Sequence, residues 1–518
     1  MKRFLSLAMV LMLALGCLPI ISLADDVPTL KVLAVLDERS PKLETLANYQ
    51  QMEKEAGVKI EWEYILGTAW AEQKSLVLSS GDLPDIFLGA KSMTTSDIVS
   101  NVEYFQPLQD LIAQYGPNIQ DMWAEYPATK IANQYPDGSI YSIGHVMVNR
   151  PATEAAIYIN KVWLDNLGLQ EPKTVDELTE VLRAFKEKDA NNNGDPNDEI
   201  PMIGRSLTSK YGPASMRGYF GADNCIEYEL TVNEEGKVQY MPATENYKAW
   251  VEWVNLLITE GLLNSDVVTI DGTRFKALQS NSDVALCGVL SGWTAANAGD
   301  WASQYVPLDI EQGPYGKAYV AANASDLLCG VSGWATVSVT TACKNPEAAM
   351  RWINTAYEPL NGLQSYWGPL GVTFELKDDG MYDFIIDDAV DKQRGYTNYD
   401  NWRFGLGDGG MGYVSKELAA KMRVSPIDKD KIFIDGVYAD NIRDESYVYP
   451  PVILERKLND EAAEIKTDLD KLIKEKTAKW VVEGGVDQEW DAYLTEMSKM
   501  RLERYLQIYQ EKLDEVRK

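Results

Sequence analysis

Trp70-Ala-Glu-Gln-Lys-Ser-Leu-Val-Leu-Ser-Ser-Gly-Asp-Leu-Pro-Asp-Ile-Phe87 runs from a helical stretch (Trp70 to Ser80) through a Gly-Asp-Leu-Pro turn into a strand. Gly81 and Pro84 punctuate the change of period, as turn residues do between two regular elements. Upstream, Val58-Lys-Ile-Glu-Trp-Glu-Tyr-Ile65 alternates like a strand, Pro41 to Ala56 has helical spacing, and Leu30-Lys-Val-Leu-Ala-Val-Leu36 is a short aliphatic run. Strand, helix, strand, helix, strand in that order predicts a largely parallel sheet with helices on its faces, an α/β fold.

The same reading continues along the chain. Tyr135-Pro-Asp-Gly-Ser-Ile-Tyr141 is a turn into a strand, and Ala155 to Asn160 leads into a short helix ended by Gly168. Thr174-Val-Asp-Glu177 is a capping box, so a helix is expected from Val175 to about Lys188. Tyr247 to Glu260 is amphipathic, Asp283 to Trp293 is a buried strand ending in Gly and Trp, and Gly330 to Val339 is another strand. Asn345-Pro346 caps a helix over Glu347 to Tyr357, and from Asn459 onward the pattern is helical.

A chain of 518 residues is expected to fold into more than one lobe. Its 49 basic and 78 acidic side chains leave a formal charge of −29, which argues against nucleic acid or an anionic membrane as partner of the body. Met1 to Ala24 reads as an export signal: Lys2 and Arg3, an apolar run, then Ser22-Leu23-Ala24 before Asp25. Cleavage after Ala24 is favoured over acylation at Cys17, and either route exports the protein. Cys225, Cys287, Cys329 and Cys343 have no metal-ligand spacing and read as buried free thiols.

Asp189-Ala-Asn-Asn-Asn-Gly-Asp-Pro-Asn-Asp-Glu-Ile-Pro201 follows the capped helix directly. Asp189, Asn191, Asn193 and Asp195 alternate, Gly194 sits at the turn, and Asp198 and Glu199 follow. A curled backbone would aim these oxygens at one point, the hard-donor set that Ca2+ takes. The match to an EF-hand loop fails at its twelfth position, where Ile200 stands. The alternative is a solvated Asn/Asp turn.

No phosphate-binding loop, zinc-protease helix or nucleophile elbow is present. His145 is the single histidine and reads as a strand residue, and Gly405 to Gly410 matches a dinucleotide fingerprint by letters only. Trp70, Trp293, Tyr366, Trp367 and Trp402 sit beside Gly, Pro or polar residues, and 14 Trp and 28 Tyr outnumber 10 Phe. Rings so placed suit stacking on sugar C–H faces, with Asp85, Asn401 and Arg403 as hydroxyl partners; core packing is the competing role of each. Trp163, Trp352 and Trp490 have helical spacing and read as core.

The chain resembles an extracellular solute-binding protein of an ABC sugar transporter. Ser80 to Phe87, Asp283 to Trp293, and Ala335 to Tyr357 with Lys344-Asn-Pro-Glu-Ala-Ala349 resemble that family's segments in order. A narrower resemblance is to its large lipoprotein-like, alginate- and pectin-oligosaccharide-binding members, where the Asp189–Glu199 pattern holds structural calcium. The tail from Glu464 to Gln510 also looks like that subgroup. Trp367 to Phe374 departs from it at the expected ligand cleft.

The resemblance implies a two-lobed type II binding fold, each lobe a mainly parallel sheet with flanking helices. Residues 28–150 with about 318–375 would form one lobe, and about 151–317 with about 376–518 the other. It implies capture of an oligosaccharide by lobe closure and delivery to permease subunits, by a monomer without catalysis. Trp70, Trp293, Trp367 and Trp402 would stack on the sugar, with Asp85, Tyr141, Tyr366 and Arg403 as further contacts. The alternatives are an exported carbohydrate-active enzyme and a binder of a peptide or other small solute on the same fold.

Overall fold

The computed structural model describes residues 27–36, 41–146, 152–153, 155–207, 211–222, 229–281, 283–320, 334–385, 410–424, 426–450 and 452–517. Two sheets organise it. The first contains β1 (Thr29–Leu36), β2 (Lys59–Leu66), β3 (Ile86–Thr94), β4 (Ser142–Ile143) and, far later in sequence, a strand over Trp334–Val339. The second contains β5 (Ala156–Asn160), β6 (Ile200–Met202), β7 (Cys287–Gly292) and β8 (Tyr305–Pro307); the late strand of the first sheet is then β9. The strand orders are β2-β1-β3-β9-β4 and β8-β5-β7-β6.

The expected parallel rhythm holds at the start: β1 pairs parallel with β2 and with β3. Leu30, Val32 and Ala34 face one buried layer while Leu33 and Val35 face another, so β1 is covered on both sides. That is why its sequence is a continuous aliphatic run rather than an alternation. Helices α1 (Ala47–Ala56) and α2 (Gly67–Ser80) connect these strands. β9 enters antiparallel between β3 and β4, so the chain leaves the first lobe after β4 and returns to it. The second sheet carries one parallel pairing, β6 with β7, and antiparallel pairings of β5 with β7 and with β8.

α3 (Val175–Glu187) begins with the expected capping box: Thr174 Oγ1 accepts the Glu177 N–H at 3.1 Å and the Glu177 carboxylate accepts the Thr174 N–H at 3.2 Å. Leu178, Leu182 and Phe185 on this helix are buried in the second lobe's core. Gly288 permits the close approach, since a Cβ there would stand 2.4 Å from the Phe185 ring and 2.7 Å from Pro201 O. α4 (Glu245–Thr259) adds Tyr247, Trp250 and Val254.

α5 (Pro346–Ala356) covers the first sheet with Met350, Trp352 and Ile353, and α6 (Pro359–Trp367) follows it. After α7 (Pro426–Val437), α8 (Arg456–Glu483), α9 (Val486–Lys499) and α10 (Leu502–Val516) close on the second core. Trp480, Trp490 and Tyr493 pack there ring against ring at 5.0–6.2 Å. Trp163, Trp352 and Trp490 are all buried, in the core roles their helical spacing predicts.

Chain beyond residue 376 also touches the first sheet's core. Met411 and Tyr413 lie in the first core, and Tyr126 donates its hydroxyl to Val414 O at 3.2 Å. The start of α8 meets the first lobe as well, through Arg456 to Glu103 at 2.9 Å and Ser100 to Asp460 at 2.6 Å.

Candidate functional site

Strand polarity sorts the candidate residues. β7 ends at Gly292 beside Ala156, the first residue of β5, so Trp293 stands where the chain enters the second lobe from the first. β6 runs parallel to β7, which brings Arg205 to the same end, exposed. In α/β sheets ligands gather outside the carboxyl ends of parallel strands. Trp293 is partly exposed and anchored through its backbone: its N–H donates to Asn297 Oδ1 at 3.0 Å, and its carbonyl accepts the Tyr158 hydroxyl at 3.5 Å.

α7 packs against this point with two side chains one turn apart. Lys431 Nζ lies 4.4 Å from the centre of the Trp293 ring and 3.4 Å from Thr153 Oγ1. Asp435 accepts the backbone N–H groups of Ala152 and Thr153, at 2.8 and 3.1 Å, and the Thr153 hydroxyl at 2.7 Å. One helix therefore grips both the indole and the chain crossing between lobes. The sequence reading missed Lys431, Asp435 and Thr153, because nothing in Pro426 to Val437 marks which lobe that helix joins.

The remaining candidates lie elsewhere. Trp70 is only 3% exposed, its indole N–H donates to Ser92 O at 2.6 Å, and Phe87 lies 6.0 Å away. Trp367 is 1% exposed between Phe374 and Phe384, at 5.5 and 4.0 Å. Both rings are core in this conformation and offer no open face, which corrects the stacking role expected for them.

Asp85 precedes β3, at the amino end of the parallel strands, where its carboxylate accepts the Lys31 N–H at 2.8 Å. Tyr141 enters β4 at that same end and meets Tyr135 edge-on at 5.0 Å. Both stand at the end of the sheet away from the crossing. A cavity of about 580 Å3 at this end is lined by Tyr135, Pro136, Val452 and Ile453.

Tyr366 is buried and shares a small cavity with His145, whose Nδ1 is 3.0 Å from Thr336 Oγ1. His145 follows β4 rather than lying in it. Arg217 is a core residue between Tyr247 and Trp250, paired with Glu229 at 3.4 Å. Trp402, Arg403 and Asn401 lie outside the described residues, as do Cys225 and Cys329. Cys287 and Cys343 are buried free thiols, pushed up to about 12 and about 11 by burial.

The Asp189–Glu199 loop joins α3 to the amino end of β6, the far end of the second sheet from Trp293. It curls around its own carboxylates. Asp189 accepts the Asn193 and Gly194 N–H groups at 3.0 and 2.8 Å, and Asn193 Oδ1 accepts the Asp195 N–H at 2.8 Å. Asp195 Oδ1 accepts the Asn197 N–H at 3.1 Å. Asn192 and Gly194 take positive φ, 59° and 93°, to make the curl.

Asp198 lies between the Asn191 and Asn193 amides, at 2.9 and 2.6 Å, and Glu199 Oε1 accepts the Ala190 N–H at 2.8 Å. Glu199 Oε2 is buried with no hydrogen-bond partner among the described residues, and burial pushes its carboxyl above the usual range. No three acidic, thiol or imidazole groups converge on a single point among the described residues. The donor chemistry nonetheless fits a hard cation: oxygens only, several anionic, one of them buried and unsatisfied.

Comparison with known proteins agrees with this architecture. Residues 36–361 match the model of the family described as bacterial extracellular solute-binding protein. The fructooligosaccharide ABC transporter substrate-binding protein FusA of Streptococcus pneumoniae is 31% identical, over 94% of this chain and 90% of its own. Its structure with kestose superimposes at a TM-score of 0.82 (29% identity, 94% of this chain, 99% of that one). An EF-hand mutant of FusA with fructo-nystose gives the same score at 28% identity, with the same coverage. A human-milk-oligosaccharide (HMO) binding solute-binding protein of Bifidobacterium longum infantis also scores 0.82, at 25% identity, covering 95% of this chain and 99% of that one. A chain with this two-lobed fold, and with that match across most of its length, belongs to the bacterial extracellular solute-binding proteins.

Proposed function

We propose that this protein is the extracytoplasmic substrate-binding component of an ABC importer and that it captures an oligosaccharide by closing its lobes. The observation that carries this is the 31% identity to FusA over nearly the full length of both chains. The carboxyl-end position of Trp293 supports the same reading, since an indole there meets a ligand held between the lobes. Contacts made only in the closed state would favour closure on binding, and closure is what a permease can sense. The chain acts by binding, without turnover, as a monomer, and reaches the cell exterior through the Met1–Ala24 segment.

Calcium in the Asp189–Glu199 loop belongs to this proposal. Asp189, Asn191, Asn193, Asp195, Asp198 and Glu199 would hold it, and its charge would offset the buried Glu199 carboxylate. The deciding experiment is calorimetric titration with kestose, longer fructooligosaccharides, a milk-oligosaccharide set and a peptide pool. Saturable binding of a fructooligosaccharide, with no hydrolysis of the recovered sugar, is expected. Binding of peptide alone, or cleavage of the sugar, would overturn the reading.

A further inference from the structure

We infer that Ile453 is the fixed pivot of lobe closure: a peg that holds the two lobes together at one point while the ligand end opens and shuts. The inference rests on the lobe-closure reading above for its use and on burial for its place. Tyr449 and Leu454 are buried in the second lobe's core. Ile453, between them, is buried instead in the first lobe, in the cluster that holds Phe105 and Tyr135. Consecutive Cα atoms stand about 3.8 Å apart, so the bond from Ile453 to Leu454 leaves no slack between the two cores.

The other passages between the cores are long. Val146 in the first core and Ala156 in the second are ten positions apart (156 − 146). Val320 in the second and Val337 in the first are seventeen apart (337 − 320), and Tyr413 in the first and Ile434 in the second twenty-one (434 − 413). At about 3.3–3.6 Å per extended residue, each length of chain can reach more than about 30 Å. Those connections can follow a movement of the lobes, and the one at Ile453 cannot.

α8 fastens the same point from the other side. Asn459 is buried, and its amide donates to Ser100 Oγ at 3.0 Å and to Ser96 O at 3.4 Å. Ser100 in turn donates to Asp460 at 2.6 Å, and Arg456 pairs with Glu103 at 2.9 Å. These partners lie on or just after the short helix Thr95–Ser100 of the first lobe. Further along α8, Leu469, Ile473 and Trp480 are buried in the second core. A contact between one lobe and a rod set in the other either breaks on closure or serves as its axis. Breaking it would strip Ile453 from its core, so it is the axis. Voids of about 580 and about 150 Å3, lined by Ile453 and by Leu454, give the room to turn that a close-packed interior denies.

The test uses full-length protein. Cysteines placed by S100C and D460C, joined by a short bifunctional thiol reagent, fasten the contact covalently, and the same protein before joining is the control. A bond between groups that stay together in both states favours neither state. The joined protein should therefore bind kestose, or the panel saccharide that binds in its place, with unchanged affinity. In ligand-free protein, Ile453→Ala should uncouple the lobes and raise the radius of gyration in small-angle scattering, while Ile453→Val keeps a branched peg and should not. A residue that only added stability would leave the radius of the folded protein unchanged.

Binding weakened about ten-fold by joining, a coupling of ordinary allosteric size, overturns the inference, and so does an unchanged radius in Ile453→Ala. If Ile453→Ala does not fold, the joined protein decides alone, since it keeps Ile453. Failure of kestose and every other saccharide to bind wild type would sink the oligosaccharide reading instead, and the ligand-free scattering would still decide the pivot.

Discussion

Removing calcium is expected to weaken the second lobe without touching its ligand end. A site that binds only the folded state stabilises it by RT ln(1 + [L]/Kd), about 2.7 kcal/mol when free calcium stands a hundred-fold above Kd. For a cooperative unit of roughly 150–250 residues each kcal/mol moves the midpoint by about 2–4 °C, so chelation should lower the second lobe's transition by about 5–10 °C. The loop enters β6 at the end opposite Trp293, and at about 3.3 Å per residue the paired strand Cys287–Gly292 sets them roughly 17–20 Å apart. Oligosaccharide affinity of the folded protein should therefore stay constant.

The pH dependence follows from Glu199, whose carboxyl is raised by burial in the calcium-free loop. A raised folded value means the native state binds more proton than the unfolded state between the two values. Calcium-free stability thus falls as pH rises through the window above the ordinary carboxylate value, and is fully penalised beyond it. Calcium must displace that proton, so its affinity should drop as pH falls into the same window. Differential scanning calorimetry with and without chelator, from pH 4 to 8, measures both effects, and Asp189→Ala should abolish the calcium-dependent shift. A transition that ignores chelator, or sugar affinity that falls in step with calcium loss, would refute the placement of the loop as a remote clip.

Three further outcomes can be checked. Trp70→Ala should cost about 3–5 kcal/mol in urea denaturation, as for a large core ring, with oligosaccharide affinity of the folded fraction unchanged; Trp293→Ala should abolish measurable oligosaccharide binding. Arg217→Met leaves the buried Glu229 carboxyl without the guanidinium 3.4 Å away, and breaking such a pair should destabilise by about 3–5 kcal/mol, read from the denaturation midpoint. Glu489 is held down to about 2 by Lys479, Lys476 and the Trp480 N–H. Its contribution is whole above the ordinary carboxylate value and disappears as pH falls toward 2, so Glu489→Gln should flatten that part of the acid unfolding curve.

Elements came through the sequence more clearly than sites. The aliphatic run of β1, the alternation of β2 and the Thr174–Glu177 box are local signals, and each lies within a few residues of its expected bounds. The insertion of β9 between β3 and β4 is not local, because it depends on the chain returning to the first sheet after supplying the strands of the second. The grip of Lys431 on Trp293 spans 138 positions (431 − 293) and has no counterpart in periodicity or spacing.

Trp70 and Trp293 show where sequence context fails and where it suffices. Both have glycine and small or polar neighbours, so local composition cannot separate them, yet one is core and the other partly open. Their difference is tertiary. Trp70 lies in the first turn of α2 and tucks under the β3 segment that bulges opposite β9, which satisfies its N–H at Ser92. Strand direction, by contrast, was already readable. Asp85 and Tyr141 precede their strands and Trp293 follows its own. Parallel strands present ligands at their carboxyl ends, so polarity alone argues against the first two and for the third. Asp85, just before its strand starts, is held by the neighbouring strand's backbone through the Lys31 N–H.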